Sequence, residues 1–240
     1  MNQAKTVAIW GDSVMRGVVY NEEKDRYALL EENSADRASR RLGLTLNNRA
    51  RMGCTVTKGL AILKRDLKAG VRGDAALIEF GGNDCDYRWE QIAADPGRDH
   101  QPKTPLALFT AQLREMVQLV REKGMAPVMM TLPPIDAQRY FRFFTRGGLN
   151  QENILSWLGD IQHIYRWHER YNAAVVQVAE ECGCPLAGVR EAFLCEHRVG
   201  DLLCADGIHP NRRGHALIEA VLEKFGLSIE RRAGLAVPAV

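Results

Sequence analysis

At 240 residues, with 46% apolar and 26% charged side chains and a formal net charge of +2, the chain has the balance of a soluble globular protein with material for one sizeable core. Basic and acidic residues are interspersed, which excludes the concentrated positive field of a nucleic-acid binder, and no apolar run approaches the length of a membrane span. The N-terminal residues do not read as a signal peptide, so the six cysteines, at positions 54, 85, 182, 184, 195 and 204, are expected as reduced thiols in a cytoplasmic protein.

The first predicted element is a strand over Val7–Trp10, within "TVAIWGDSVMRG". A short continuous apolar run is what a central parallel strand needs. Gly11 permits a sharp turn at its end. Asp12 and Ser13 follow, either as helix caps or with Ser13 at the strand end where open α/β sheets bind ligands. A second strand, Leu44–Asn47, leads into "NNRARMGCTVTKG", where Gly53 can present a bare backbone N–H. Leu60, Leu63 and Leu67 then share one helical face.

The third strand, Ala75–Phe80, ends in Gly81-Gly82-Asn83-Asp84. Two glycines let the backbone approach a ligand closely, and Asn83 offers an amide NH₂; a glycine-rich turn with an Asx bond is the structural alternative. Residues 85–105 exceed an ordinary loop. Leu106, Phe109, Leu113, Met116 and Val120 mark the next helix, and Ala126–Leu132 the fourth strand, ended by Pro133-Pro134.

A second long insertion covers residues 133–160 and concentrates Tyr140, Phe141, Phe143, Phe144 and Trp157. It reads as a lid over a pocket, a contact within a homo-oligomer, or a subsidiary core. The 3/4 spacing of Ile161, Ile164, His168, Tyr171, Val175, Val178 and Cys182 predicts one long helix. Cys182-Gly183-Cys184 lacks metal or redox spacing and reads as buried thiols. The fifth strand is Pro185–Gly188. The last helix is predicted from near Asn211 to Phe225, stopped by Gly226, with fraying after Ser228. Strands alternating with helices imply a parallel sheet covered on both faces, in one domain spanning residues 1–240.

A serine at a strand end becomes a nucleophile only if a base takes its proton, and that base is usually a histidine oriented by a carboxylate. His168 falls on the apolar face of the long helix and reads as core. His100, His163, His197 and His215 have no acid in a suggestive arrangement. His209 stands three residues after Asp206 in "CADGIHPNRRGH", where Gly207 and Pro210 favour a tight turn. The chemistry also needs oxyanion donors. Asn83 and Gly53 are candidates.

Taken in order, Gly11-Asp12-Ser13, Gly53, Gly81-Gly82-Asn83-Asp84 and Asp206-x-x-His209 resemble the SGNH hydrolases, the GDSL-type esterases and lipases. All four blocks lie in order across residues 6–215. The resemblance implies a flavodoxin-like three-layer α/β/α sandwich with five parallel strands in order 2-1-3-4-5. It implies Ser13 as nucleophile, His209 as base and Asp206 as its orienting acid. An oxyanion hole would be formed by the Ser13 and Gly53 backbone N–H groups and the Asn83 side chain. Cys54 follows Gly53 where the family often has an acidic or small polar residue, and the two insertions have no counterpart in its smallest members. The expected activity is hydrolysis of a carboxylic ester, of a short acyl or O-acetyl group on a small molecule or oligosaccharide, through an acyl-enzyme and with neither metal nor organic cofactor. An O-acyltransferase or thioesterase on the same site, or a catalytically silent binding module, are the alternatives.

Overall fold

Short apolar strands can hide both faces only if helices cover both, and amphipathic helices need such a surface to cover. The computed structural model, which describes residues 5–235, meets both needs at once. Its elements in chain order are β1 (Thr6–Gly11), the short helix α1 (Ser13–Arg16), β2 (Val18–Asn21), β3 (Arg26–Leu29), α2 (Ser34–Arg41), β4 (Thr45–Asn48), α3 (Val56–Lys68) and β5 (Ala75–Glu79). Next come α4 (Trp89–Ala94), α5 (Leu106–Glu122), β6 (Ala126–Met130), α6 (Ala137–Thr145), α7 (Gln151–Leu158) and α8 (Gln162–Glu181). The chain closes with β7 (Leu186–Ala187), α9 (Val189–Leu194), a 3₁₀ turn (Val199–Leu202) and α10 (Arg212–Leu235).

The sheet order is β4-β1-β5-β6-β7, with every pairing parallel. Counting those five strands alone, this is the order 2-1-3-4-5 that the resemblance implies. Alternate residues of β1 feed opposite cores, as the period of a strand requires. Ala8 and Trp10 pack with α3, α5 and α8 through Leu63, Leu113 and Val178, while Ile9 packs with α9 and α10 through Phe193 and Ile218. β1 has β4 on one side and β5 on the other, so the strand order reverses beside it. A crevice therefore opens past the carboxyl ends of β1 and β5.

The two long insertions are folded. Residues 85–105 contain α4, and residues 133–160 contain α6 and α7. Together they build a third apolar cluster in which Trp89 stacks on Phe144 at 4.4 Å and Tyr87 meets Trp157 edge-on at 4.8 Å.

The last helix departs from expectation. α10 continues through Gly226 to Leu235 rather than ending at Phe225. Gly226 is not in the left-handed conformation of a helix stop. A Cβ there would lie 2.6 Å from Leu42 Cδ1, so this glycine serves close packing against the end of α2 instead. The last five positions of the predicted frayed tail, 236–240, lie outside the described residues.

The β2–β3 hairpin and α2 were not foreseen. Each hairpin strand is four residues long around the charged turn "EEKD", and α2 buries only Ser34, Ala35, Ala38 and Ser39, too small an apolar stripe to show as periodicity.

Candidate active site

Ser13 begins α1 directly after β1, and Asp12 makes that turn. The Asp12 carboxylate accepts the Val14 N–H at 2.9 Å through Oδ1, capping the helix as its residue type favours. The end of β4 is tied to the same turn: Asn48 donates its side-chain N–H to the Met15 carbonyl at 2.8 Å.

The loop from Cys204 to Pro210 brings Asp206 and His209 to Ser13. Leu203 and Pro210 form an isolated bridge, and the Cys204 N–H donates to the His209 carbonyl at 2.8 Å, so the loop closes on itself. Gly207 sits at φ +77°, and a Cβ there would come within 2.7 Å of the Asp136 carbonyl and the Tyr140 nitrogen. Only glycine fits both the left-handed backbone and the contact with α6. Inside this loop Asp206 Oδ1 accepts the backbone N–H groups of Ile208 and His209, each at 3.1 Å. Its other oxygen lies 2.5 Å from His209 Nδ1, and His209 Nε2 lies 2.9 Å from Ser13 Oγ. With Nδ1 donating to Asp206, Nε2 is free to accept from the serine. Ser13, Asp206 and His209 are thus joined in one buried hydrogen-bonded row.

Asn83 and Gly53 line the same cavity as Ser13. Gly53 has φ +67°, which explains a glycine there, and the following Cys54 turns into the core, where burial raises its thiol to about 11. The Asn83 amide donates one N–H to Asp12 Oδ2 at 3.0 Å. An amide nitrogen carries two hydrogens, so the second is left for another acceptor.

Three residues of the site escaped sequence reasoning. Asp12 reads as a cap but also holds Asn83. Glu79, the last residue of β5, is a charged residue at the end of an otherwise apolar strand, and that mismatch is the one signal that marks it. It is 1% exposed and accepts the Asp12 backbone N–H at 3.2 Å. Tyr27, on the hairpin, lines the cavity with its ring edge-on to the His209 imidazole at 5.2 Å; burial, then the neighbouring Asp206, raise its hydroxyl above the usual phenol range. Burial likewise raises Asp12, Glu79 and Asp84, the last to about 7.

The other histidines are placed elsewhere or otherwise engaged. His215 is fully buried, its Nδ1 3.2 Å from Ser34 Oγ, and burial lowers it to about 4. His168 is core-packed as its helical position suggests, yet it reaches the cavity wall, and burial with the nearby Arg190 lowers it to about 3. Among the described residues the six cysteines are all free, and no group of three or more His, Cys, Asp or Glu side chains is placed to hold a metal. No helix among them is long and apolar enough to cross a membrane.

The cavity measures about 190 Å³. The insertions supply part of its wall, Trp89, Ile135 and Tyr140 from residues 85–105 and 133–160, and α8 adds Ile164 and Trp167. The aromatic insertion therefore borders the serine pocket.

Comparison with known proteins adds an independent line. The model of the GDSL-like Lipase/Acylhydrolase family matches residues 9–217. A search of curated proteins by sequence gave no match. Among solved structures, a lipase/acylhydrolase from Enterococcus faecalis is 19% identical, covering 95% of this chain and 96% of its own, with a TM-score of 0.63. LAE5, an alpha/beta hydrolase enzyme from the metagenome of Lake Arreo, is 20% identical over 94% of this chain and 96% of its own, with a TM-score of 0.65. Axe2, an acetylxylan esterase from Geobacillus stearothermophilus, is 19% identical over 92% of this chain and 94% of its own, with a TM-score of 0.60. At such identities the likeness is one of fold.

Proposed function

The chain belongs to the GDSL-like lipase/acylhydrolase family, and on that premise we propose that it hydrolyses short-acyl or O-acetyl carboxylic esters through an acyl-enzyme on Ser13. The observation that carries this reading is the continuous row from Ser13 Oγ through His209 to Asp206, at 2.9 and 2.5 Å. A serine hydroxyl becomes nucleophilic when a base accepts its proton as the new bond forms, and His209 Nε2 stands at that distance.

Ser13 Oγ attacks the ester carbonyl carbon while its proton passes to His209 Nε2. The carbonyl π electrons move to oxygen, and the resulting oxyanion is held by the Asn83 amide and the backbone N–H groups of Ser13 and Gly53. Asp206 accepts the Nδ1–H bond and stabilises the imidazolium. On collapse the bond to the alcohol oxygen breaks, and His209 returns the proton to that oxygen. Water then gives a proton to His209 and attacks the acyl carbon. A second collapse frees the carboxylic acid and Ser13. None of these steps needs a metal or organic cofactor.

The pocket supports a small acyl or acetylated substrate. Its volume is about 190 Å³. One protein of similar fold is an acetylxylan esterase.

The test is hydrolysis of p-nitrophenyl esters of graded acyl length by wild type, Ser13→Ala and Asn83→Ala. Ser13→Ala is expected to be folded and inactive, and Asn83→Ala to lose about 10²–10³ in kcat. Acetyl esters should be turned over faster than decanoyl esters. A folded Ser13→Ala enzyme with wild-type turnover would overturn the assignment of the nucleophile, and a preference for decanoyl esters would overturn the substrate class.

A further inference from the structure

The mechanism above leaves the buried acid Glu79 unused. Glu79 lies behind the site, at the end of β5, and its carboxyl group meets the Asp12 segment. Oε2 accepts the Asp12 backbone N–H at 3.2 Å, and both acids are buried, Glu79 at 1% and Asp12 at 2% exposure. Asp12 in turn makes two contacts of its own. Oδ1 accepts the Val14 N–H at 2.9 Å, and Oδ2 accepts an Asn83 amide N–H at 3.0 Å. A path of hydrogen bonds therefore runs from the Glu79 carboxyl to the Asp12 backbone, and from the Asp12 side chain to Asn83, beneath the serine turn.

Two carboxyl groups in contact and out of water do not both ionise, because neither gains enough from its neighbours to offset the repulsion. Asp12 has the better claim to the charge: it accepts two N–H bonds from Val14 and Asn83, and His209 faces it across the pocket. Glu79 accepts one N–H bond, and its Oε1 has no hydrogen-bond partner. Asp84, the remaining acid nearby, is occupied by the Val56 N–H at 2.9 Å.

An asparagine can face a pocket with either its nitrogen or its oxygen. Only the nitrogen can stabilise an oxyanion. An anionic Asp12 behind it selects the nitrogen, and Asp12 can do so only while something fixes its own side chain. Gly11 shows how closely Glu79 is fitted for that: a Cβ at Gly11 would come within 2.9 Å of Glu79 Oε2.

We propose that Glu79 is a positioning residue for Asn83, acting through Asp12 as a neutral hydrogen-bond donor to the Asp12 carboxylate. It touches neither the substrate nor the reacting atoms. The inference rests on the reading of Asn83 as an oxyanion donor.

The neutral role makes a distinctive demand. Glutamine carries a carbonyl that accepts the Asp12 N–H and an NH₂ that donates to the Asp12 carboxylate, so it fills the role. Leucine fills the volume and makes neither bond. The experiment measures kcat and KM for p-nitrophenyl acetate, together with thermal unfolding, for Glu79→Gln, Glu79→Leu, Asn83→Ala and the double variant Glu79→Leu/Asn83→Ala. Glu79→Gln should keep kcat within about threefold of wild type, while Glu79→Leu should lose about tenfold or more in kcat with little change in KM. In the Asn83→Ala background Glu79→Leu should change kcat by less than about threefold, since the two residues act through one donor.

Equal losses for Glu79→Leu in both backgrounds would overturn the proposal, as would a Glu79→Gln enzyme as impaired as Glu79→Leu. If Glu79→Leu does not fold, Glu79→Gln decides: retained kcat supports the neutral donor, and a folded variant more than about tenfold slower overturns it. An Asn83→Ala enzyme with wild-type kcat would instead defeat the reading of Asn83, a separable result.

Discussion

Asp206 shows how much one side chain can do when both carboxylate oxygens are used. It caps the turn through two backbone N–H groups and holds the His209 ring with its other oxygen. The short D-x-x-H spacing was legible as a possible pair because a tight turn folds the acid back on the imidazole. The same reasoning could not show Tyr27, which reaches His209 from a hairpin 182 positions earlier in the chain. Nor could it show that the Asp12 cap also holds Asn83, since that bond joins two strand ends brought together only by the sheet.

Residue-scale electrostatics also fix a stability dependence on pH. His215 is neutral in the fold down to about 4, while in the unfolded chain it takes a proton near 6.5. A group with a depressed folded pKa contributes its stability above the unfolded value, and that contribution is lost as pH falls through the window from 6.5 toward 4. His215→Asn cannot titrate there. In urea unfolding, the stability advantage of wild type over His215→Asn should narrow by about 2 kcal/mol between pH 7 and pH 5. A difference that stays constant across that range would contradict the assignment of a buried neutral imidazole.

At the scale of elements, the strands and amphipathic helices of the sheet were readable because their periods are strong. What failed was reading glycine. At Gly226 a glycine near a helix end suggested a stop, but it serves contact with Leu42 instead. At Gly207 the expected turn is real, and its physical demand is stricter than sequence could show: the loop must pass against the backbone of α6. Gly207→Ala should therefore cost about 2 kcal/mol or more in stability, from the left-handed backbone and the enforced shift. Because Asp206 and His209 flank it, kcat should fall by about tenfold or more even where the variant is folded. Urea unfolding with kcat on the same preparation checks both. A folded Gly207→Ala enzyme of normal stability and turnover would show that the loop is not held as described.

The hairpin is anchored to α6 from the other side. Arg146 donates to the Tyr20 hydroxyl and the Asp25 carboxylate, each at 2.7 Å, and the Tyr20 ring meets Phe143 of α6 edge-on at 4.8 Å. An element of two four-residue strands is marginal alone. These contacts to a helix of the aromatic insertion are what hold Tyr27 beside His209.

For the molecule as a whole, the sheet order places the ends of β1 and β5 side by side, and the serine turn and the Asn83 turn meet there for that reason. The insertions then close the crevice into a pocket, packing their aromatic rings on one another and lending Trp89 and Tyr140 to the wall. The length and aromatic content of residues 133–160 announced that this segment must be buried, whereas residues 85–105 stood out by length alone. Which surface they cover depends on tertiary contacts that no local pattern carries.

The central claim is that acyl transfer passes through Ser13, and covalent occupancy of that one oxygen tests it most directly. Wild-type enzyme mixed with p-nitrophenyl acetate, quenched in acid and digested for peptide mass spectrometry should carry one acetyl group, on Ser13, with an initial burst of nitrophenol. Ser13→Ala should carry none and show no burst. Turnover of the ester with an unmodified Ser13 and a burst preserved in Ser13→Ala, or an acetyl group on any other residue of the pocket, would contradict the account.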